Sequence, residues 1–334
     1  MSYPYFAKGL MERASLRAEE ILPLDRAQIE DPAAYMPHKD LSHAVNVALM
    51  LGMPLLLTGE PSTGKTQLAY ALAAEISCDV LKFETKSTSQ GRDLFYTYDA
   101  LSAFKMKDAT DPRLFIRYSA LGQAILEAFE AGAVQHLLTP GTPHRGPRRA
   151  IVLIDEIDKA PRDFPNDLLN EIERLYFRVP ELGNQSSPGA DDPKNGVPAK
   201  YRPIVILTSN SEKGLPDPFL RRCVYFDIPF PTAEEMKTIV AARIADLGAN
   251  DPMTADALDL FYKLRKSARF VSLKKEPSTA ELLNWLQVLR ARGAQAAQRL
   301  TTQKPLVEET LSTLIKSSDD RAEARKFVTE RWGV

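Results

Sequence analysis

Thr58 to Thr66 read TGEPSTGKT, which fits the spacing G-x-x-x-x-G-K-[S/T] from Gly59 onward. The continuous apolar run Leu55, Leu56, Leu57 precedes it, and Leu68, Leu72 and Ile76 follow at a spacing of four. An apolar run of that length reads as a buried parallel strand, and the four-residue spacing as a helix packed on a sheet. A strand, a glycine loop and a helix in that order turn backbone amides inward at a helix N-terminus, where an anion is stabilised. Gly59 and Gly64 permit the turn, and Glu60, Pro61, Ser62, Thr63 and Gln67 complete the loop and its exit. Lys65 supplies a mobile cation for β and γ phosphates, and Thr66 a hydroxyl for Mg²⁺. The motif makes ATP and Mg²⁺ the expected ligands.

Short apolar runs recur at Val80–Phe83, Ile151–Ile154, Ile204–Leu207 and Val224–Ile228, with long crossovers between them. Five such strands predict an α/β fold with a parallel sheet covered on both faces. Two crossovers exceed what one helix needs. About 65 residues separate Glu84 from Ala150, and the stretch from about 180 to 201 is rich in Gly, Pro, Asn and Asp, the composition of a loop. Beyond Pro231 the strands stop. Thr232 with Glu235, and Ser278 with Glu281, have capping-box spacing ahead of the stripes Met236, Ile239, Val240, Ile244, Leu247 and Leu282, Trp285, Leu286, Leu289. The stripes predict helices ending at Gly248 and near Gly293. The expected domains are an N-terminal arm (1–40), a nucleotide-binding α/β domain (41–231) and a helical domain with C-terminal helices (232–334). His43 to Gly52 predicts a helix ahead of the first strand, broken by Pro54.

Ile151 to Asp158 read IVLIDEID, a strand ending in adjacent carboxylates, which is costly without a cation. Asp155 is the candidate metal residue with Thr66, Glu156 the candidate base for the attacking water, and Asp158 reads as a solvated turn residue. The next strand ends in Thr208, Ser209 and Asn210, and the Asn210 amide could orient the same water. Arg221 and Arg222 follow a short helix, Pro218 to Leu220, where an arginine can reach the γ-phosphate of a neighbouring subunit; Arg222 is favoured.

The chain has 334 residues, 44% hydrophobic and 26% charged, which excludes disordered and fibrous classes. Forty-three basic against 44 acidic residues leave no surplus to attract nucleic acid or anionic lipid. HRGPRR (His144 to Arg149) is a small basic cluster that reads as a solvated loop. Cys78 and Cys223 lack metal-site spacing and read as buried, reduced thiols. No apolar run approaches the length of a membrane span or a signal peptide, so the expectation is a cytoplasmic protein.

Taken in order, TGEPSTGKT, IVLIDEIDKAPRDFPNDLLNEIE, VILTSN and LPDPFLRRC resemble the AAA+ ATPases and, within them, the MoxR-like group, over about residues 40 to 300. The resemblance implies a P-loop NTPase with a five-stranded parallel core followed by a small helical lid. It implies Walker A roles for Lys65 and Thr66, Walker B roles for Asp155 and Glu156, sensor 1 at Asn210, and a trans-acting finger at Arg221 or Arg222. GRDLFYTYDALSAF and RLFIRYSALGQAILEAF resemble the hairpin this clade inserts in its second helix, about 91–121. That would make Phe95, Tyr96, Tyr98, Phe104, Phe115 and Tyr118 candidates for pore or partner contact. At sensor 2 the chain departs from its relatives: KKEPSTAELLNW holds no arginine, only Lys274 and Lys275. The implied activity is a chaperone-like remodelling ATPase, a homo-oligomeric ring of six subunits working on a protein client or in metal or cofactor insertion. A von Willebrand A domain partner is implied by resemblance alone. The alternatives are a nucleic-acid motor or loader, and an ATP-gated assembly scaffold with slow turnover.

Overall fold

A computed structural model describes residues 24–106, 111–211, 215–265, 273–330 and 332. Residues 1–23 of the expected arm lie outside the described residues. The chain divides into two compact units, Pro37–Phe230 and the described parts of Met1–Met36 with Pro231–Val334.

Short helix α1 (Ala27–Glu30) belongs to the second unit, and α2 (Lys39–Leu51) opens the first. α2 starts earlier than the apolar pattern predicts, because His38 accepts the Asp40 N–H and starts the helix in polar sequence. It stops at Gly52, whose left-handed backbone lets its N–H cap the helix before Pro54 is reached. The first unit then runs β1 (Leu55–Gly59), α3 (Lys65–Ile76), β2 (Asp79–Glu84), β3 (Tyr96–Tyr98), α4 (Ala100–Lys105), β4 (Ile116–Tyr118), α5 (Ala120–Leu126), α6 (Ala131–Val134), β5 (Ala150–Asp155), α7 (Phe164–Arg174), β6 (Arg178–Val179), β7 (Gln185–Ser186), β8 (Ile204–Thr208), α8 (Asp217–Leu220) and β9 (Val224–Ile228).

The five predicted strands form one sheet in the order β2-β5-β8-β1-β9, with every pairing parallel. β5 is buried along its whole length and β1 along all but its last residue, as strands covered on both faces must be. The edge strands β2 and β9 are covered less, and their charged residues reach solvent. On α3 the stripe holds at Leu68 and Leu72, whereas Ile76 in the last turn is exposed.

Between β2 and β5, β3 and β4 make an antiparallel hairpin with Tyr96 opposite Tyr118. Of the six candidate aromatics, five pack into the body. Phe95, Tyr96 and Phe115 are buried, and Tyr98 and Tyr118 lean on the same core. The cause is Phe177, whose ring lies 5.4 Å from Phe95, 6.4 Å from Tyr96 and 5.9 Å from Tyr118, so aromatic packing draws the hairpin base inward. Only Phe104 of the six, on α4, is exposed, beside exposed Leu101 and Met106. The glycine- and proline-rich stretch after α7 carries the short β6–β7 ladder and three 3₁₀ turns.

The second unit is helical: α9 (Ala233–Arg243), α10 (Pro252–Arg265), α11 (Thr279–Ala291), α12 (Lys304–Thr310) and α13 (Ser318–Glu330). Both capping boxes form at Thr232/Glu235 and Ser278/Glu281. Met236, Val240, Leu282, Trp285, Leu286 and Leu289 are fully buried, and Trp285 Nε1 donates to Thr310 Oγ1 at 2.9 Å. α9 ends at Arg243, before the predicted Gly248, because Ile244 turns to extended backbone. Arg243 donates to the carbonyls of Ile29 and Asp31, tying the segment around α1 into this unit. No described helix is long and apolar enough to cross a membrane.

Neither cysteine is in a disulfide. Burial raises the Cys78 thiol pKa and pushes the Cys223 thiol up to about 12. At pH 8 such a thiol is ionised in about one molecule in ten thousand, so Cys223 alkylation by iodoacetamide should run about 10³-fold slower than in unfolded chain. Mass spectrometry of timed aliquots measures this, and fast native labelling of Cys223 would contradict its burial.

Candidate functional site

Gly59, Glu84, Asp155 and Thr208 end β1, β2, β5 and β8, so the parallel sheet delivers all four to its C-terminal edge, where ligands of open α/β sheets bind. Register adds precision, since Glu84 pairs with Asp155 and Leu57 with Thr208.

The loop from Gly59 to Thr66 is shaped for close approach to a ligand. Gly59 has φ 134°, and a Cβ there would come within 2.6 Å of the Ile228 carbonyl, so only glycine fits. Ser62 is left-handed as well, and the Thr63 hydroxyl donates to Glu60 O at 2.9 Å. α3 starts on Gly64 without a side-chain cap, leaving its first-turn amides to an anion. Glu60 and Pro61 are exposed, and Gln67 is half-buried on α3.

Lys65 is 7% exposed, and its Nζ donates to the carbonyls of Gly59 and Glu60, each at 2.8 Å. Burial lowers its pKa, against the opposing pull of Asp158, Asp155, Asp227 and Glu156. Thr66 Oγ1 donates to Asp155 Oδ1 at 2.9 Å, and Thr208 Oγ1 donates to the same oxygen at 2.5 Å. Thr208 also accepts the Glu156 N–H at 2.9 Å, so one hydroxyl fixes both members of the acidic pair. Lys82 Nζ lies 3.1 Å from Asp155 Oδ2. Burial pushes the Asp155 carboxyl pKa up, but the hydrogen bonds from Thr208, Lys82 and Thr66 outweigh it and hold it below its ordinary value.

Glu156 has φ 57°, a sparsely populated conformation for a residue with a side chain, and its carboxylate pairs with Lys159. Asn210 is exposed just past β8, and its N–H donates to Asp158 Oδ1 at 3.2 Å. Asp158, read from sequence as a bystander, thus joins the strand ends.

Arg221 and Arg222 are not part of this cluster. They immediately precede β9, whose first residue Val224 pairs with Leu55 at the start of β1, while Gly59 at its end pairs with Ile228. At about 3.3 Å per residue, the two arginines sit roughly 15 Å away, at the opposite edge of the sheet. Arg222 Nε lies 3.8 Å from Glu173 Oε2. Lys274, in the helical unit, pairs with Asp319 at 2.9 Å, and the Lys274 and Lys275 amides donate to Asp320.

Sequence reasoning missed Lys82 and the double role of Thr208. Lys82 interrupts the apolar run of β2, and Thr208 precedes the asparagine that drew attention. The uncapped helix start and the glycine cradle fit a polyphosphate. The hard oxygens of Thr66 and Asp155 fit Mg²⁺.

The model of the ATPase family associated with various cellular activities (AAA) matches residues 55–231, more than half of the chain. YehL, an uncharacterized protein of Escherichia coli, is 24% identical over 338 residues, covering 96% of this chain and 83% of that protein. Among solved structures, RuvB of Thermotoga maritima, titled a Holliday junction branch migration motor, is similar at 18% identity and TM-score 0.43, covering 82% of this chain and 67% of that one. A point variant of that RuvB gives TM-score 0.46 at 18% identity, covering 83% and 70%.

Proposed function

The chain belongs to the AAA family of ATPases, and we propose that it is a MoxR-type remodelling enzyme that hydrolyses ATP as a ring and acts on a protein client. The observation that carries the reading is the convergence of Lys65, Thr66, Asp155 and Glu156 on one end of the sheet, held by the Thr208 hydroxyl. In this reading Lys65 leaves the Gly59 and Glu60 carbonyls for the β and γ phosphates. Thr66 and Asp155 would hold Mg²⁺, which would neutralise charge on the phosphate oxygens when bound. Glu156 exchanges Lys159 for the attacking water and accepts its proton, and Asn210 orients that water.

Arg221 and Arg222 support the ring. They lie at the far edge of the sheet from Gly59, away from a phosphate held by their own loop, and in this reading one of them acts as a finger on a neighbouring copy. Six subunits, cytoplasmic residence and a von Willebrand A domain partner follow the family resemblance, and the exposed Leu101 and Phe104 on α4, with Met106 just past it, offer an apolar surface to a client.

Glu156→Gln tests the reading. ATP binding should stay within about threefold of the parent while turnover falls by about 100-fold, the share a general base contributes. A pull-down from native lysate with this variant in ATP and Mg²⁺ should recover a specific protein whether or not nuclease is added. Recovery that disappears with nuclease would sink the protein-client reading and make the chain a nucleic-acid machine. Turnover unchanged by the substitution would remove Glu156 from catalysis.

A further inference from the structure

Lys82 lies on the edge strand β2, where Asp79, Lys82 and Glu84 are exposed. Its own side chain is 32% exposed and bends over the end of the sheet to Asp155. Period two puts Lys82 and Glu84 on one face of β2, and the register sets Glu84 beside Asp155. Three charged heads therefore meet at one point, with Lys82 Nζ 2.9 Å from Glu84 Oε1 and 3.1 Å from Asp155 Oδ2.

The two carboxylates are not equivalent. The Asp155 side chain is 11% exposed, so its charge needs a counter-cation in the absence of metal. Glu84 is 70% exposed and is hydrated whatever Lys82 does. The other lysine of the site, the buried Lys65, spends its ammonium on the Gly59 and Glu60 carbonyls. Asp155 Oδ1 already accepts two hydroxyls, from Thr66 and Thr208, so Oδ2 is the oxygen open to a cation, and Lys82 holds it.

We propose that Lys82 is a positioning residue that competes with Mg²⁺ for Asp155 and so sets the Mg²⁺ concentration at which the chain binds nucleotide tightly. The inference rests on the ATPase reading above. A lysine suits the role: its ammonium is a compact charge on a flexible four-carbon stem. It can keep Glu84 while giving up Asp155, so moving off the metal position does not leave it unpaired. Holding Asp155 Oδ2 also keeps the carboxylate turned so that Oδ1 faces Thr66 and Thr208, ready for loading.

The test is a Mg²⁺ titration of the full chain with a fluorescent ADP analogue at fixed concentration, read as the midpoint of the Mg²⁺-dependent gain in binding; hydrolysis plays no part in it. Lys82→Met removes the competing charge and should lower the midpoint by about fivefold or more, whereas Lys82→Arg, which keeps the charge, should stay within about twofold. Glu84→Gln should shift the midpoint upward by about two- to threefold, because the ammonium is left with Asp155 as its one carboxylate. A Lys82→Met midpoint equal to that of the parent overturns the proposal. Should Lys82→Met fail to fold, the exposed Glu84→Gln decides alone, and an unchanged midpoint there overturns it equally. A parent chain that binds no nucleotide at any Mg²⁺ concentration overturns the ATPase reading, and this inference with it.

Discussion

Lys65→Ala is expected to abolish nucleotide binding, weakening it by about 10³-fold, while leaving the fold nearly as stable as before. Two short charge-assisted bonds at 2.8 Å mark the ammonium as the strongest donor in the loop. Such bonds contribute about 1.5 to 3 kcal/mol each, so moving both from the loop carbonyls to phosphate oxygens accounts for the size of the loss. The carbonyls left behind, those of Gly59 and Glu60, belong to the half-buried and exposed lip of the loop, where water replaces the ammonium. Binding and stability should therefore separate: a titration with a fluorescent nucleotide should lose its signal while the melting temperature moves little. Micromolar binding that survives the substitution would remove this loop from the site.

The separation follows from how the site is encoded. Everything from Gly59 to Thr66 lies within one covalent stretch, so spacing alone made it legible, as did IVLIDEID, whose last apolar residue marks the end of a strand. The five-stranded parallel sheet was legible for the same reason: each buried strand is a local apolar run. What depends on register was not. Lys82 reaches Asp155 because β2 pairs with β5, and Thr208 reaches it because β8 lies on the other side of β5. Neither pairing is written in any one stretch of sequence. Which of the hairpin aromatics pack was hidden for a related reason, since Phe177, which draws them inward, lies some 60 residues beyond Tyr118 in the sequence. Helix ends were misjudged where polar capping, at His38, or a backbone turn, at Ile244, overrode the apolar pattern.

The same packing makes Gly122→Ala the most damaging small substitution expected in the α/β unit. Gly122 lies on α5, which packs on β2 and β5, and a Cβ there would fall 2.0 Å from the Phe95 carbonyl oxygen and 2.7 Å from its carbon. Alanine ordinarily stabilises a helix by about 1 kcal/mol over glycine, so intrinsic propensity predicts a gain. The close approach reverses the sign, because neither neighbour can yield. The Phe95 N–H donates to Arg92 O, its carbonyl accepts from Ser119, both at 2.9 Å, and its ring is stacked on Phe177. Relief requires α5 to move off the sheet edge or the hairpin base to open, an overpacking cost of about 3 kcal/mol. For a unit of this size that lowers the melting temperature by about 10 °C. Gly132→Ala is the matched control, also in a helix but with nothing within 4 Å of the added carbon, and it should be neutral or slightly stabilising. Thermal melts of the two variants side by side test the argument. A Gly122→Ala protein that melts with its control would mean that α5 and the hairpin base are not in contact.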